Sequence, residues 1–307
     1  RKKVIKFILK GRILVECWSK DPEIGVVPLE IRILHQLSKS PHPNIIEMKH
    51  FFQDANCFYI EMDLFGFGTD LFDYIELNRN MTEDEMKRIY LQTCLAVQHL
   101  HDRGIAHRDI KVRRARGRKK GGNGASDVPR GRGRGNNKFR LAPSPFFLVG
   151  PNSVAQDENL IVGENSHIRL IDFGSSAYVR SGKMFETFCG TLDYAWRKAP
   201  EVLEGCKYKG KPQDIWAMGI LLYTLVYKEN PFYNVDEIIS GSLRVPFVVS
   251  AANLNLIRSI LNRDPEKRPT IVAILEHEWL AGVKEELDFP LPGRGDDPPP
   301  PHRPRAA

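Results

Sequence analysis

A long basic segment splits a short polar motif, and the need to close that motif is the strongest constraint on how this chain can fold. His107-Arg108-Asp109-Ile110-Lys111 is followed, 45 residues too late, by Asp157-Glu158-Asn159 and then by Asp172-Phe173-Gly174. Joined across the gap, the first two runs place an aspartate, a lysine and an asparagine in one tight turn, just upstream of a second loop that contains an aspartate. The motif is complete only if residues 112–156 are set aside.

The basic charge of the chain belongs to residues 112–156 alone. This segment holds eight Arg and three Lys against one Asp, a local charge of +10 within a total of +7. The other residues therefore carry a net charge of −3, and the sequence predicts no nucleic-acid-binding surface outside the segment. Its composition offers little that could pack in a core, so we expect it to be exposed and without regular structure.

Two interpretations of this segment remain open. Runs such as Arg130-Gly131-Arg132-Gly133-Arg134-Gly135 are typical of an RNA-binding or nuclear-targeting arm. The alternative is a retained intron, because the codon of Val112 begins with GT, a Gln156 codon can end with AG, and residues 144–148 can encode a pyrimidine-rich tract. A structureless insertion of this length inside a tight turn is rare, which favours the intron. Trp196-Arg197-Lys198 interrupts a later motif and fits a misplaced splice acceptor.

The remaining composition favours a soluble globular chain. With 307 residues, of which 42% are apolar, the chain can build a sizeable core. Five scattered cysteines without metal-type spacing favour a reducing compartment, so we expect a cytoplasmic protein that can also be nuclear. No apolar run reaches membrane-spanning length, and no membrane partner is expected. The chain starts inside a strand-like pattern, so the domain is expected to begin before Arg1.

Apolar periodicity predicts a strand-rich beginning followed by a larger helical part. Strands are predicted at residues 4–8, 45–54 and 57–62, and helices at residues 28–37, 82–104, 214–227, 253–261 and 271–279. The second of these helices starts with the capping box Thr82-Glu83-Asp84-Glu85. This order of elements predicts an α+β fold with two lobes.

The motifs and their order resemble the protein kinase family. After Asp172-Phe173-Gly174, the runs Gly190-Thr191 and Ala199-Pro200-Glu201 resemble the kinase activation segment, and Asp214-Ile215-Trp216-Ala217-Met218-Gly219 resembles the helix that anchors the catalytic loop. The resemblance also implies an ion pair between Glu201 and Arg268. Lys111 and Thr191 resemble the residues of serine/threonine kinases rather than those of tyrosine kinases.

Several unusual segments resemble the PAS kinases, serine/threonine kinases of the calcium/calmodulin-dependent group. They are residues 7–10, 17–25, 29–31, 172–177, 182–185, 187–191, 223–226 and 229–232. The resemblance covers residues 1–111 and 157–284, and it implies a role in nutrient or energy signalling. The chain departs from the family pattern in having no glycine-rich phosphate loop before Lys6 and no sensory PAS domain.

The resemblance implies a site that uses ATP and Mg²⁺. Lys6 would hold the α- and β-phosphates and Glu30 would orient Lys6, while Asp109 would accept the substrate proton and Lys111 would face the transferred phosphoryl group. Asn159 and Asp172 would ligate Mg²⁺ through oxygen. The nucleotide-binding hinge would be formed by Met62, Asp63, Leu64 and Phe65, with Asp70 near the ribose.

The same resemblance implies substrate and regulatory residues. Glu158 and Asp70 resemble the paired acids with which basophilic kinases hold an arginine upstream of the phosphorylated Ser or Thr, so the expected partners are proteins with such sites. Arg108 marks kinases whose activation segment is ordered by a phosphate, for which Thr187 is the candidate acceptor, with Thr191 in the same segment. A solvated Glu158, an Asp70 that serves only the ribose, and an unmodified Thr187 remain the alternatives. Nucleic acid is expected as a partner only through the basic segment.

These interpretations divide the chain into three regions. They are a partial kinase N-lobe without a glycine-rich loop (residues 1–64), a C-lobe (residues 65–284) interrupted by the disordered basic insert (residues 112–156), and a disordered Pro/Gly-rich tail (residues 285–307). The predicted function is ATP-dependent phosphorylation of serine and threonine. The alternative is a catalytically inactive kinase fold that acts as a scaffold, or that carries an RNA-binding arm. Every side chain of the chemical step is present, which favours the enzyme.

Overall fold

A small antiparallel sheet and a set of longer helices make up the two parts of the chain. The computed structural model describes residues 2–66, 69–111, 159–186 and 198–283. The strands are β1 (Lys3–Leu9), β2 (Trp18–Asp21), β3 (Gly25–Pro28), β4 (Met48–Gln53), β5 (Cys57–Asp63), β6 (Ile105–Ala106), β7 (Leu160–Val162), β8 (Ile168–Leu170) and β9 (Ala177–Tyr178). The helices are α1 (Leu29–Ser38), α2 (Leu71–Leu77), α3 (Glu83–Asp102), α4 (Pro200–Leu203), α5 (Gly210–Tyr227), α6 (Val235–Ile239), α7 (Ala251–Ile260) and α8 (Ile271–Leu275). The predicted α+β class is confirmed.

The first lobe is built on a three-stranded sheet in the order β1-β5-β4. β1 runs antiparallel to β5 in a register that sets Lys6 opposite the buried Ile60. The strand predicted at residues 45–54 begins only at Met48, because the preceding residues bond elsewhere. The Ile46 N–H donates to the Leu170 carbonyl at 3.0 Å, and the Leu170 N–H donates to the Asn44 carbonyl at 2.8 Å. This stretch therefore joins the first lobe to β8 instead of extending the sheet.

A hairpin of β2 and β3, which apolar periodicity does not predict, lies between β1 and α1. Its turn is closed by the Asp21 carboxylate, which accepts from the N–H groups of Glu23 at 3.0 Å and Ile24 at 3.3 Å. Gly25 has a φ of +79°, a left-handed conformation that glycine adopts without steric cost. The hairpin leads directly into α1, so it sets the position of Glu30 in the first helical turn.

Helix α3 lies at the centre of the second lobe and begins at the predicted capping box. The Thr82 hydroxyl accepts from the Glu85 N–H at 3.2 Å, and the Glu85 carboxylate accepts from the Thr82 N–H at 2.7 Å. Both N-terminal amides are thereby satisfied. α5 contacts α3 and is buried along most of its length, as its continuous apolar sequence predicts.

The largest differences between predicted and observed helices lie at the start of α5 and the end of α8. α5 begins at Gly210 rather than at Asp214, since its first turn is polar and gives no apolar signal. α8 ends at Leu275 rather than at Trp279. The chain turns at His277, whose imidazole accepts from the Trp279 N–H at 3.1 Å and starts a short 3-10 helix, Glu278–Leu280.

Buried polar contacts hold the two lobes together. The Asn44 side-chain amide donates to Gln92 Oε1 at 3.0 Å and to the Ile168 carbonyl at 2.8 Å. Gln92 Oε1 also accepts from the Ile168 N–H at 2.9 Å. Because buried hydrogen bonds of this kind are strong and directional, they fix β8 at the junction of the lobes. The loop that follows β8 contains Asp172.

Two negative findings concern the described residues. No helix in these ranges is both long and apolar enough to cross a bilayer. Cys17, Cys57, Cys94 and Cys206 form no disulfide bond with one another. The Cys94 side chain is buried, whereas the Cys206 side chain is exposed to solvent.

Candidate active site

Three charged side chains meet where the lobes join. Lys6 comes from β1, Glu30 from the first turn of α1, and Asp172 from the loop after β8. The Lys6 ammonium donates to a carboxylate oxygen of Glu30 and to Asp172 Oδ1, the latter at 3.1 Å. The three side chains are only 11%, 8% and 7% exposed, respectively. The structure thus brings together the predicted phosphate-binding lysine, its orienting glutamate and a predicted metal ligand.

Burial and charge act in opposite directions in this cluster. Burial alone would lower the pKa of Lys6, but the negative charges of Asp172 and Glu30 raise this pKa above its ordinary value. Burial is the main reason why the pKa of Glu30 is raised, against the lowering effect of the Lys6 charge. Lys6 therefore remains an ammonium ion at physiological pH and presents a fixed positive charge at the junction of the lobes.

The backbone at Asp172 is held in an uncommon conformation. Its φ is +64°, in the left-handed region that is costly for a residue with a side chain and that recurs at functional sites. The Gly174 N–H donates to Asp172 Oδ1 at 3.1 Å. A Cβ atom at Gly174 would lie 3.2 Å from that oxygen and 3.5 Å from Glu30 Oε2. Glycine at this position therefore allows the loop to approach both carboxylates closely.

The split motif closes in the structure despite its interruption. The Asn159 amide nitrogen donates to the Asp109 carbonyl at 2.7 Å and lies 3.1 Å from Asp109 Oδ2, although these residues are 50 positions apart. Lys111 Nζ donates to the same carboxylate oxygen at 3.0 Å. The Asn159 N–H also donates to the Lys111 carbonyl, with an N···O distance of 3.5 Å. Asp109, Lys111 and Asn159 thus form one hydrogen-bonded group.

The carboxylate of Asp214, in α5, accepts hydrogen bonds from the backbone of this turn. Its fully buried carboxylate accepts from the backbone N–H of His107 at 2.9 Å and of Arg108 at 2.6 Å, and it lies 3.0 Å from His101 Nε2. Arg108 has a φ of +67°, which turns its N–H toward the carboxylate. A buried carboxylate with several donors fixes the backbone at His107 and Arg108. The structure therefore places Asp214 where the sequence predicts an anchor for the catalytic loop.

Lys198 is a site residue that sequence reasoning missed. Its buried ammonium donates to the Arg108 carbonyl at 2.8 Å and lies 3.8 Å from Asp109 Oδ1. Burial alone would raise the pKa of Asp109, but the charges of Lys198 and Lys111 outweigh burial and lower this pKa. The available signal was the position of Lys198 directly before Ala199-Pro200-Glu201. Glu201 forms a bidentate pair with Arg268, with both N–O distances at 2.7 Å, so this part of the chain is anchored.

The predicted hinge residues lie at the end of β5 and just beyond it. Met62 and Asp63 are the last residues of the strand, and Asp63 pairs with Lys3 at 2.9 Å. The Leu64 side chain is 43% exposed. The Phe65 ring packs edge-on against the His167 ring at 5.2 Å, and the Arg169 guanidinium lies 4.3 Å from its centre. The side chain of Phe65 therefore holds the connection between the lobes against β7 and β8.

Asp70 caps helix α2. Its Oδ1 accepts from the Asp73 N–H at 2.7 Å, and burial is the main cause of its raised pKa. The carboxylate thus has a local structural task in addition to the predicted contacts with ribose and substrate. Its predicted partner Glu158 lies outside the described residues, as do Thr187, Thr191 and the segment 112–156.

The amide of Asn159 and the carboxylate of Asp172 fit a magnesium ion. The Asn159 nitrogen is used by Asp109, which leaves the amide oxygen as the ligand atom. The Ile171 N–H donates to the Asn159 carbonyl at 2.9 Å, so the two predicted ligands come from neighbouring backbone segments. Mg²⁺ prefers such oxygen ligands, with phosphate oxygens and water completing its coordination. The described residues contain no cluster of three or more His, Cys, Asp or Glu that could hold a metal ion.

The Arg108 side chain contacts the aromatic rings of Phe185 and Tyr208. Its guanidinium lies 4.3 Å from the centre of the Phe185 ring, and Nε donates to the Tyr208 hydroxyl at 3.2 Å. Phe185 and Tyr208 are themselves joined by two backbone hydrogen bonds of 2.8 and 2.9 Å. The predicted phosphate-binding arginine is thus placed beside the described end of the segment that contains Thr187.

The chain matches one family model and several curated proteins. The model of the family described as protein kinase domain matches residues 4–113 and 156–280. The chain is 43% identical over 281 residues to serine/threonine-protein kinase PSK2 of Saccharomyces cerevisiae, across 90% of this chain and 21% of that protein. It is 42% identical over 281 residues to serine/threonine-protein kinase ppk6 of Schizosaccharomyces pombe, across 92% and 30%. It is 36% identical over 277 residues to a PAS domain-containing serine/threonine-protein kinase of Mus musculus, across 90% and 16%.

These similarities confirm the resemblance to PAS kinases that the unusual segments predicted. The chain spans less than a third of the length of each of these curated relatives. The family match stops at residue 113 and resumes at residue 156. The match therefore bypasses almost the whole basic segment.

Proposed function

The chain belongs to the protein kinase family, and on this premise we propose that it transfers the γ-phosphate of ATP to serine and threonine hydroxyls of proteins. The observation that carries the proposal is the closed catalytic turn, in which Asp109, Lys111 and Asn159 are joined by hydrogen bonds. Relatives named as serine/threonine kinases support these acceptors rather than tyrosine. The complete set of reacting side chains gives no support to the inactive alternative.

Phosphoryl transfer depends mainly on positioning and on neutralising negative charge. Lys6, oriented by Glu30, supplies a buried cation for the phosphates of ATP, and Lys111 supplies a second cation next to Asp109. When bound, Mg²⁺ neutralises charge on the phosphates. Asn159 and Asp172 are the residues that would hold it.

Asp109 orients the substrate hydroxyl and accepts its proton. Among the described residues, Asp109 Oδ2 accepts hydrogen bonds from Lys111 Nζ and from the Asn159 side-chain amide. Oδ1 lies 3.8 Å from the Lys198 ammonium. Oδ1 is therefore the oxygen available to the incoming hydroxyl. Because the pKa of Asp109 is lowered, the carboxylate is ionised and ready to accept a hydrogen bond at neutral pH.

Phosphate transfer to peptides that differ only in the acceptor residue tests the proposal. With labelled ATP, serine and threonine peptides are expected to be labelled and the matching tyrosine peptide is not. Asp109→Asn keeps the size of the side chain but removes its charge, and is expected to lower kcat by about 10²-fold or more. The proposal fails if no peptide or basic protein is labelled, or if Asp109→Asn is as active as the unaltered chain.

Lys198→Met is expected to move the acidic limb of the pH–rate profile to higher pH. Lys198 stabilises the ionised form of Asp109, so its loss raises the pKa of Asp109. As the solution is acidified, the carboxylate of the variant is then protonated at a higher pH, so activity is lost at a higher pH than in the unaltered chain. Measuring kcat/KM across the acidic range gives the shift. Lys198→Arg keeps the charge and should leave the profile in place.

An exposed lysine provides the control for this experiment. Lys209 pairs with Glu266 at the surface, at 2.8 Å, and Lys209→Met should not change the profile. If the profile of Lys198→Met equals that of Lys209→Met, Lys198 does not act on Asp109.

We also propose that substrates carry an arginine upstream of the acceptor, held by Asp70 and Glu158. Two carboxylates can each accept hydrogen bonds from the planar guanidinium group of arginine, whereas the ammonium group of lysine fits this arrangement less well.

Glu158→Ala and Asp70→Ser are each expected to weaken the preference for arginine about tenfold in a peptide library. Serine retains the helix-capping oxygen that Asp70 provides to α2, so only the charge is removed. Asp73→Ser, in the same helical turn, is the control. A library without preference for Arg over Ala three residues before the acceptor contradicts this assignment.

Cellular location and pathway follow as proposals from less specific features. The lack of a disulfide bond among Cys17, Cys57, Cys94 and Cys206 supports a reducing compartment, which we take to be the cytoplasm and also the nucleus. The role in nutrient or energy signalling that the resemblance implies stays a prediction. A fluorescent fusion of the full-length gene product would report the location.

A further inference from the structure

A cavity of about 440 Å³ lies between α1, β9 and the turn that joins α3 to β6. The basic residues that line it are Arg32, His35 and Lys39 from α1, Arg103 from the turn, and Arg180 from the segment after β9. Asp21 is its carboxylate. The walls therefore carry mainly positive charge.

Of the four arginine and lysine side chains, two pair with carboxylates of the β2–β3 hairpin and two do not. Arg32 Nε lies 3.4 Å from Asp21 Oδ2, and the Lys39 ammonium pairs with Glu23. Arg103 donates to neutral groups, Ser40 Oγ at 2.6 Å and the His99 carbonyl at 3.0 Å. Within the described residues, neither Arg103 nor Arg180 has a carboxylate partner.

The pKa values of two histidines near Arg103, His99 and His42, are lowered. The pKa of His99 is lowered to about 4, first by burial and then by the charge of Arg103. The pKa of His42 is lowered to about 3, first by burial and then by the charges of His99 and Arg103. Both imidazoles therefore stay neutral at physiological pH and add no positive charge beside Arg103.

We propose that this cavity binds a phosphate monoester, held mainly by Arg103 and Arg180. A guanidinium group matches phosphate oxygens bidentately. A phosphate monoester carries close to two negative charges at neutral pH, which equals the charge of the two arginines without carboxylate partners. The volume of about 440 Å³ is well above that of a phosphate group alone, since a water molecule occupies about 30 Å³. The cavity therefore leaves room for an organic part beside the phosphate group.

The position of the cavity connects its ligand to the active site. The Tyr178 hydroxyl donates to Gln36 Oε1 at 2.7 Å, and the Val179 N–H donates to the Gly104 carbonyl at 2.7 Å. These contacts already join α1 to β9 and β9 to the turn before β6. A phosphate held between them strengthens the same connection, and α1 carries Glu30, which orients Lys6. The effect on phosphoryl transfer rests on the proposed function, whereas the binding itself does not.

Calorimetric titration without ATP tests the binding directly. The probes are inorganic phosphate, O-phosphoserine, and a phosphoserine peptide with its unphosphorylated form, all at the same ionic strength. Arg103→Gln and Arg180→Gln are each expected to weaken binding of O-phosphoserine by roughly tenfold or more, because each removes charge-assisted hydrogen bonds. Arg12→Gln, an exposed arginine outside the cavity, is the matched control and should bind normally. Hydrogen exchange in Leu29–Ser38 should slow when the site is saturated.

Arg180→Gln gives the sharper test, because Arg103 also bonds to Ser40 and its loss can disturb the fold. The proposal is overturned if a normally folded chain shows no saturable phosphate binding, or if Arg180→Gln binds as tightly as Arg12→Gln. Binding of the phosphopeptide about tenfold tighter than O-phosphoserine would support the proposal with a phosphorylated protein side chain as the ligand. Equal affinity would support it with a soluble monoester. Since ATP is absent, these outcomes are independent of whether the chain is an active kinase.

Discussion

Asp172→Asn is expected to lower phosphate transfer by a factor on the order of 10³ while leaving the fold in place. The carboxylate lies 3.1 Å from the Lys6 ammonium and is the predicted magnesium ligand beside Asn159. Asparagine has the same shape but removes the negative charge that a metal ion needs. The substitution also removes one of two carboxylates that share a single ammonium, so it does not leave an unpaired buried cation.

Transfer of labelled phosphate and thermal unfolding, measured on the same protein, separate the two effects. The unfolding temperature is expected to stay within a few degrees of that of the unaltered chain. Asp236→Asn, an exposed aspartate in the first turn of α6, is the control and should keep full activity. Near-normal turnover in Asp172→Asn would refute the proposed mechanism. Loss of the fold would instead show that Asp172 acts through structure.

Deletion of residues 112–156 is expected to stabilise the chain and to preserve or increase its activity. After the deletion, Lys111, Asp157, Glu158 and Asn159 are consecutive. The Asn159 N–H already donates to the Lys111 carbonyl with an N···O distance of 3.5 Å, which is the hydrogen bond between the first and fourth residues of a β-turn. Shortening this connection reduces the entropic cost of closing it by about 3 kcal/mol. The unfolding temperature should therefore rise by several degrees.

A second variant separates chain length from composition. Replacing residues 112–156 by a Gly/Ser linker of equal length keeps the closure cost but removes the charge. If the linker variant unfolds like the parent and the deletion is more stable, length is the cause. A deletion that unfolds the chain or abolishes transfer would show that the segment belongs to the domain. Salt-dependent RNA binding that is lost with Arg130, Arg132 and Arg134 would identify the segment as a binding arm, whereas transcripts without it would support a retained intron.

Much of the site could be predicted because its motifs are local. The types of residue around Asp109 and Asp172 are the types that phosphate transfer requires, and they are readable in order along the chain. The capping box at Thr82 also depends only on residues within one helical turn, and the structure has it where predicted. Short-range chemistry of this kind leaves a signal in any sequence that contains it.

Other features could not be predicted because their partners are distant in sequence. Lys198 was interpreted as part of an interruption, yet it donates to the Arg108 carbonyl across 90 positions. The strand before Met48 was predicted too long, because nothing in residues 45–47 indicates that Leu170 is the bonding partner. The basic cavity combines α1, a turn after α3 and the residues after β9, and none of these segments is unusual alone.

The sequence by itself determined which charged groups are available to this kinase and in what order they occur. Only the tertiary structure decided which of them meet and how they ionise. Lys6 and Asp172 are 166 positions apart, and their contact exists because the sheet and β8 are packed at the same lobe junction. The directions in which the pKa values of Lys6, Glu30 and Asp109 shift depend on burial and on distances to opposite charges. Both quantities are properties of the packed chain, since desolvation and Coulomb energy act through space and not along the backbone.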